Sequence, residues 1–287
     1  MDKSKNHEKN IYGILKYYGI FDHAPTFTEI HNLYPAKISE IDLEIELKKL
    51  LKSKGIELLG KYYHILGGVY NEFKINEKRM SAYRKLEMVR KFTKIFRYIP
   101  GVVYVGVSGS VGAGYASSND DIDLFVITKK NRIYTTRLAL LVFFRLLGIL
   151  RTRKSKDNKN KFCFNLFFDE SDISLPIQKR GVYGAFELFS LKTIYDARGA
   201  YSELLAQNDW AQKILPNYQV QNMISPLIGS KDTNQLICKI ADYIEDICSI
   251  FQVFFIQRHK TTELITRTQL WFHPNDISQK INKEFGL

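Results

Sequence analysis

The stretch Val107-Ser108-Gly109-Ser110-Val111-Gly112-Ala113-Gly114 leads, after Tyr115 to Asp120, into Asp121-Ile122-Asp123-Leu124-Phe125-Val126. Those residue types in that order suit phosphate and metal chemistry. Gly109 has no Cβ, so the backbone there can approach a polyphosphate closely, while Ser110 offers a hydroxyl and an N–H to its oxygens. Gly112 and Gly114 keep the loop tight, and Ser118 and Asn119 are expected to cap the turn into the strand. Strand side chains alternate, so Asp121 and Asp123 share a face, roughly 6 to 7 Å apart along the strand. Two carboxylates so placed form a hard oxygen site suited to Mg²⁺ or Mn²⁺, bridged to substrate phosphates. Lys129, with Lys130 and Arg132, follows the strand and is a candidate for phosphate contact. The plainer reading of the whole stretch is a surface turn followed by a strand with a polar edge.

The pattern of G-S, about ten residues, then D-x-D on a strand is similar to the motif of the DNA polymerase β-like nucleotidyltransferase superfamily. The resemblance spans roughly residues 99–168, where a helix, two strands, a crossing helix and a third strand follow in the family's order. It implies a Mg²⁺- or Mn²⁺-dependent enzyme that moves a nucleoside monophosphate from a nucleoside triphosphate to an acceptor hydroxyl and releases pyrophosphate. Gly109 and Ser110 match the nucleotide-holding pair, and Asp121 and Asp123 the metal-binding pair. The family's third carboxylate belongs on the next core strand. Here that strand reads Lys161-Phe162-Cys163-Phe164-Asn165-Leu166-Phe167-Phe168, which puts Asn165 in the inward register as the remaining catalytic candidate. An amide oxygen can ligate a metal, but it carries no charge and cannot act as a base. Asp169, Glu170 and Asp172 lie just beyond and are candidates to replace the missing acid. The alternative is a catalytically weak nucleotide- or nucleic-acid-binding regulator on the same fold, or a partner-binding scaffold.

The elements expected to position these residues divide the chain into three parts. Residues 1–75 read as helix, helix, helix, hairpin. Ile11, Leu15 and Tyr18 mark the first helix, Thr26 to Glu29 forms a capping box for the second, and Leu43, Leu47, Leu50 and Leu51 mark the third, with strands at 56–59 and 62–66. This order resembles a winged helix, although Glu40, Asp42, Glu44 and Glu46 on the third helix repel phosphates and favour protein contact over duplex reading. Residues 76–175 form the α/β (α+β) nucleotidyltransferase-like core: a helix over 77–97, strands at 102–107, 122–128 and 162–168, and an apolar helix over about 132–150. Residues 176–287 read as a C-terminal helical region that shapes the acceptor pocket, with a long helix over about 233–259 and a short one after Pro274. Trp210 and Trp271 are expected to anchor that tail, and His273 to be a turn residue.

A net charge of +12 biases the protein toward polyanions without choosing among them. The segment from Arg151 to Lys161 holds six basic residues against one acidic. It reads either as steering for triphosphate, with weak nucleic-acid contact, or as a solvated loop. Cys163, Cys238 and Cys248 are odd in number and form no C-x-x-C pair, which argues against a disulfide framework and a zinc site. With no signal-like leader and only Leu138 to Leu150 as an apolar run, a cytoplasmic protein without a membrane span is expected.

Overall fold

The computed structural model describes residues 3–68, 70–152, 157–220, 235–258 and 264–272. Its first part comprises α1 (Lys3–Ile20), α2 (Phe27–Leu33), α3 (Glu40–Lys52) and the hairpin β1 (Ile56–Leu59) and β2 (Tyr62–Ile65). Thr26 and Glu29 close the expected capping box on α2, and Ser39 caps α3 through the Asp42 N–H. Then follow α4 (Glu72–Arg90), α5 (Thr93–Phe96), β3 (Val102–Val107), α6 (Gly109–Ala113), β4 (Ile122–Thr128), α7 (Ile133–Leu146) and β5 (Phe162–Asp169). The last part contributes α8 (Val182–Ser190), β6 (Lys192–Asp196), α9 (Ala200–Gln207), α10 (Trp210–Ile214), α11 (Gln235–Gln257), β7 (Leu264–Ile265) and β8 (Gln269–Trp271).

The fold is mixed α+β, built on a sheet of order β6-β3-β4-β5-β8-β7 in which only β4 and β5 run parallel. Strand alternation sends the two faces of β4 to different cores. Ile122, Leu124 and Val126 join Val89 of α4, Phe96 of α5 and Ile133, Leu140 and Phe144 of α7. Phe125 and Ile127 join a core that runs without interruption through α1–α3 and α8–α9. Asp121 and Asp123 share the parity of Phe125, so they open toward the α8 side.

Two expectations are corrected. The last part is not simply helical, since β6, β7 and β8 complete both edges of the sheet. β6 begins two residues after α8 with no turn signal between them, and β7 and β8 span two and three residues, too short to show periodicity. Trp271 accordingly lies in a strand, buried against Phe168 with ring centroids 5.1 Å apart. The expected helix over 77–97 begins earlier, capped by Asn71, and breaks between Arg90 and Thr93. His273, the short helix after Pro274 and residues 153–156 of the basic segment lie outside the described residues. No described helix is long and apolar enough to cross a membrane.

Candidate metal and nucleotide site

The β3 strand ends at Val107, and the chain turns through Ser108 and Gly109 straight into α6. Gly109 sits at φ 59°, in the left-handed region. A Cβ placed there would stand 2.5 Å from Asp123 Oδ2. Glycine is therefore required twice, by the dihedral and by the approach of the carboxylate. The Ser108 N–H donates to the Asp123 carbonyl at 3.0 Å, fixing the loop to the start of β4. The Ser108 hydroxyl is buried beside this cradle and has no hydrogen-bond partner among the described residues.

Asp121, Asp123 and Cys163 converge, with one ligand atom from each lying within 4.8 Å of the others. The parallel register sets Cys163 beside Asp123, and a β-bulge then inserts Asn165 between Phe164, opposite Leu124, and Leu166, opposite Phe125. The Asn165 amide donates to Asp123 Oδ1, while its own oxygen accepts from the Cys163 thiol at 2.6 Å. In this state Asn165 is a hydrogen-bond partner of the aspartate. Arg151 donates to Asp121 Oδ2 at 2.6 Å, and the same nitrogen lies 3.7 Å from Cys163 Sγ.

Burial, then the neighbouring Asp121 and Glu187, holds the Asp123 carboxyl well above the usual carboxylate range. Burial, with the two aspartates adding to it, also pushes the Cys163 thiol well up, so it is held as a thiol. Glu187, from α8, accepts the Gly109 N–H and is raised to about 7 by burial. The backbone that is expected to approach a phosphate at Gly109 is thus engaged by a carboxylate.

Ser110 faces the loop: its hydroxyl donates to Asp120 Oδ2 at 3.0 Å, the same oxygen that accepts the Ser117 N–H at 2.8 Å. Asp120 therefore caps the turn expected of Ser118 and Asn119. Lys85 of α4 is buried beneath it, donating to the carbonyls of Ser118 and Asp120 and to Asn160 Oδ1.

The remaining candidates lie elsewhere. Lys129 follows the far end of β4, six residues and roughly 20 Å from Asp123, and its N–H bonds Gly101. Lys130 bonds Glu170 through its N–H, and Arg132 pairs with Asp242 at 2.6 Å. Asp169, Glu170 and Asp172 sit at that same distant end, bonded to Asn131, Arg198 and Thr268 respectively, so none of them replaces the missing acid. Cys163, Glu187 and Lys85 were not read from sequence as site residues. Cys163 had one available signal, its position two residues before Asn165 on the same strand; Glu187 and Lys85 lie in helices without a motif.

Asp121, Asp123 and Cys163 are placed so that they could hold a metal ion, and the two carboxylates suit a hard divalent cation better than the neutral thiol does. No family model, curated protein or solved structure matches this chain.

Proposed function

We propose that the protein is a divalent-metal-dependent nucleotidyltransferase that moves a nucleoside monophosphate from a nucleoside triphosphate to an acceptor hydroxyl. One observation carries this reading: Gly109, in a left-handed conformation at the end of a strand, packs its backbone directly against Asp123, whose carboxylate converges with that of Asp121. On this reading residues 76–175 are the catalytic core, 1–75 a winged-helix-like unit and 176–287 the region that shapes the acceptor pocket. Asp121 and Asp123 would hold the cation, Mg²⁺ or Mn²⁺, which would supply neutralisation of the charge that develops on the transferring phosphoryl group. Gly109 admits the triphosphate to within hydrogen-bond range, which requires Glu187 to release the Gly109 N–H. Lys85 keeps the loop rigid from below, so that the aspartates meet their ligand in a fixed geometry.

A specific observation favours a second reading, a nucleotide-binding regulator with little turnover. Both aspartates are already engaged, Asp121 by Arg151 and Asp123 by Asn165, and no acid from β5 stands beside them. Incubation with the four α-labelled nucleoside triphosphates, Mg²⁺ or Mn²⁺ and a panel of hydroxyl acceptors separates the two. Label transfer with pyrophosphate release, abolished by Asp123→Asn, supports the enzyme. Metal-dependent nucleotide binding without transfer supports the regulator, and absence of both overturns the assignment.

A further inference from the structure

On the α8 side of the sheet, a cavity of about 350 Å³ lies between the N-terminal helices and the core. It shares Gly112 to Gly114 with the nucleotide loop but is lined by neither metal-site aspartate. Its volume is within the range of small-molecule pockets, which begin near ~300 Å³. Tyr18, Phe189 and Tyr218 give it aromatic walls, and the Phe189 and Tyr218 rings stack at 5.0 Å with planes 30° apart. The charged residues lining it are Glu29, Arg79 and Lys192.

These charges do not balance. Arg79 and Glu29 pair at 2.5 Å and neutralise each other. Lys192, the first residue of β6, makes no side-chain hydrogen bond or ion pair with a described residue, and the charge that acts on it is another cation, Arg90. Partial burial already disfavours its ammonium form, and Arg90 adds to that. A half-buried cation with no partner among the described residues is stabilised by an anion that supplies one. Aromatic walls and one surplus positive charge together define the complement.

We propose that this cavity is a binding site, separate from the metal centre, for a small aromatic anion whose carboxylate or phosphate pairs with Lys192. The ring of the ligand stacks along Phe189 and Tyr218, and the Glu29–Arg79 pair borders its polar edge. The charge pattern favours an anion over an aromatic cation of the same size.

Saturation-transfer NMR on the full chain with benzoate, phenyl phosphate and benzylamine tests the proposal, each probe at millimolar concentration. The expected result is transfer to the ring protons of benzoate or phenyl phosphate, at least fivefold weaker for benzylamine. Whichever anion gives the stronger signal identifies the head group. Lys192→Met is expected to reduce the anion signal at least fivefold, and Lys192→Arg to keep it. The comparison of the anions with benzylamine on the native chain decides the question even where a variant fails to fold. Transfer to benzylamine equal to that of both anions, or no transfer to either anion, overturns the proposal. The Asp121→Asn/Asp123→Asn double variant is expected to keep the signal. Loss of the signal there would move the ligand to the metal centre and overturn the separate site, whereas absence of nucleotidyl transfer by the native chain would leave it standing.

Discussion

Arg151 and Asp121 form an ion pair of 2.6 Å at the convergence of Asp121, Asp123 and Cys163, so a guanidinium already engages a carboxylate that a divalent cation there would need. The pair is partly exposed, with side-chain exposures of 40% and 17%, and pairs of this kind contribute up to about 1 kcal/mol. Arg151→Ala is therefore expected to tighten Mn²⁺ binding by up to about fivefold, by freeing Asp121 from a competitor. On the proposed reading nucleotide affinity is expected to fall, because a cation beside the paired aspartates is lost. Electron paramagnetic resonance titration of Mn²⁺ with and without ATP measures both. Movement of both affinities in the same direction would contradict a role for Arg151 as competitor of the metal and partner of the nucleotide.

Lys85 is the support under the loop. Its ammonium donates to two carbonyls and one amide oxygen at 2.7 to 3.1 Å, and the residue is 3% exposed. Bonds from a charged donor contribute about 1.5 to 3 kcal/mol each, and removal strands buried acceptors. Lys85→Met, which keeps the packing volume, is expected to lower stability by ~3 kcal/mol in urea unfolding. It should also speed amide exchange at Ser117, whose N–H is held by Asp120 in the supported turn. A stability loss without faster exchange there would confine Lys85 to packing.

How much of this was legible differs between strand and helix. The spans of β3 and β4 and the shared face of Asp121 and Asp123 follow from β-branched runs and period-two alternation, which are local properties of the chain. Gly109 and the capping box at Thr26 are equally local. The partners of those residues are not. Cys163 and Asn165 meet Asp123 only because β4 and β5 pair in one parallel register with a bulge at Asn165, and no local pattern announces that bulge. Lys129 was misplaced because nearness in sequence along an extended strand means distance in space. Glu187 and Lys85 arrive from helices packed on opposite faces of the sheet, through contacts that only the tertiary fold creates.

His23 gives a pH dependence of known sign. It is fully buried, stacked on Tyr115 at 4.9 Å, with Arg79 Nη2 3.2 Å from its Nε2. Burial, reinforced by Arg79 and Lys78 and opposed by Asp22, lowers its pKa from 6.5 to about 3. The unfolded chain therefore binds the proton first, so the contribution is full above pH 6.5 and is lost as pH falls toward 3. By pH 5 the loss is on the order of 2 kcal/mol. His23→Phe, which keeps a ring against Tyr115, is expected to flatten this part of the stability curve measured by urea unfolding between pH 7 and 5. An unchanged slope would assign the acid sensitivity to other groups.

Glu245 joins α11 to the core. Its carboxylate accepts the Tyr134 N–H at 2.6 Å, the Thr135 N–H at 2.9 Å and the Thr135 hydroxyl at 2.6 Å. These are first-turn groups of α7, whose own N-cap residue, Arg132, makes no side-chain capping bond. A distant helix thus supplies both the cap and the negative charge that the α7 N-terminus favours. Glu245→Ala removes all three bonds and is expected to cost about 2 to 3 kcal/mol. Glu245→Gln keeps one acceptor oxygen and loses the charge, so it should fall between that variant and the native chain. Hydrogen exchange localises the effect: the amides of Tyr134 and Thr135 should lose protection together with those of α11, while β3 and β4 remain protected. Loss of protection in α7 alone would show that α11 is held by its apolar contacts without this carboxylate.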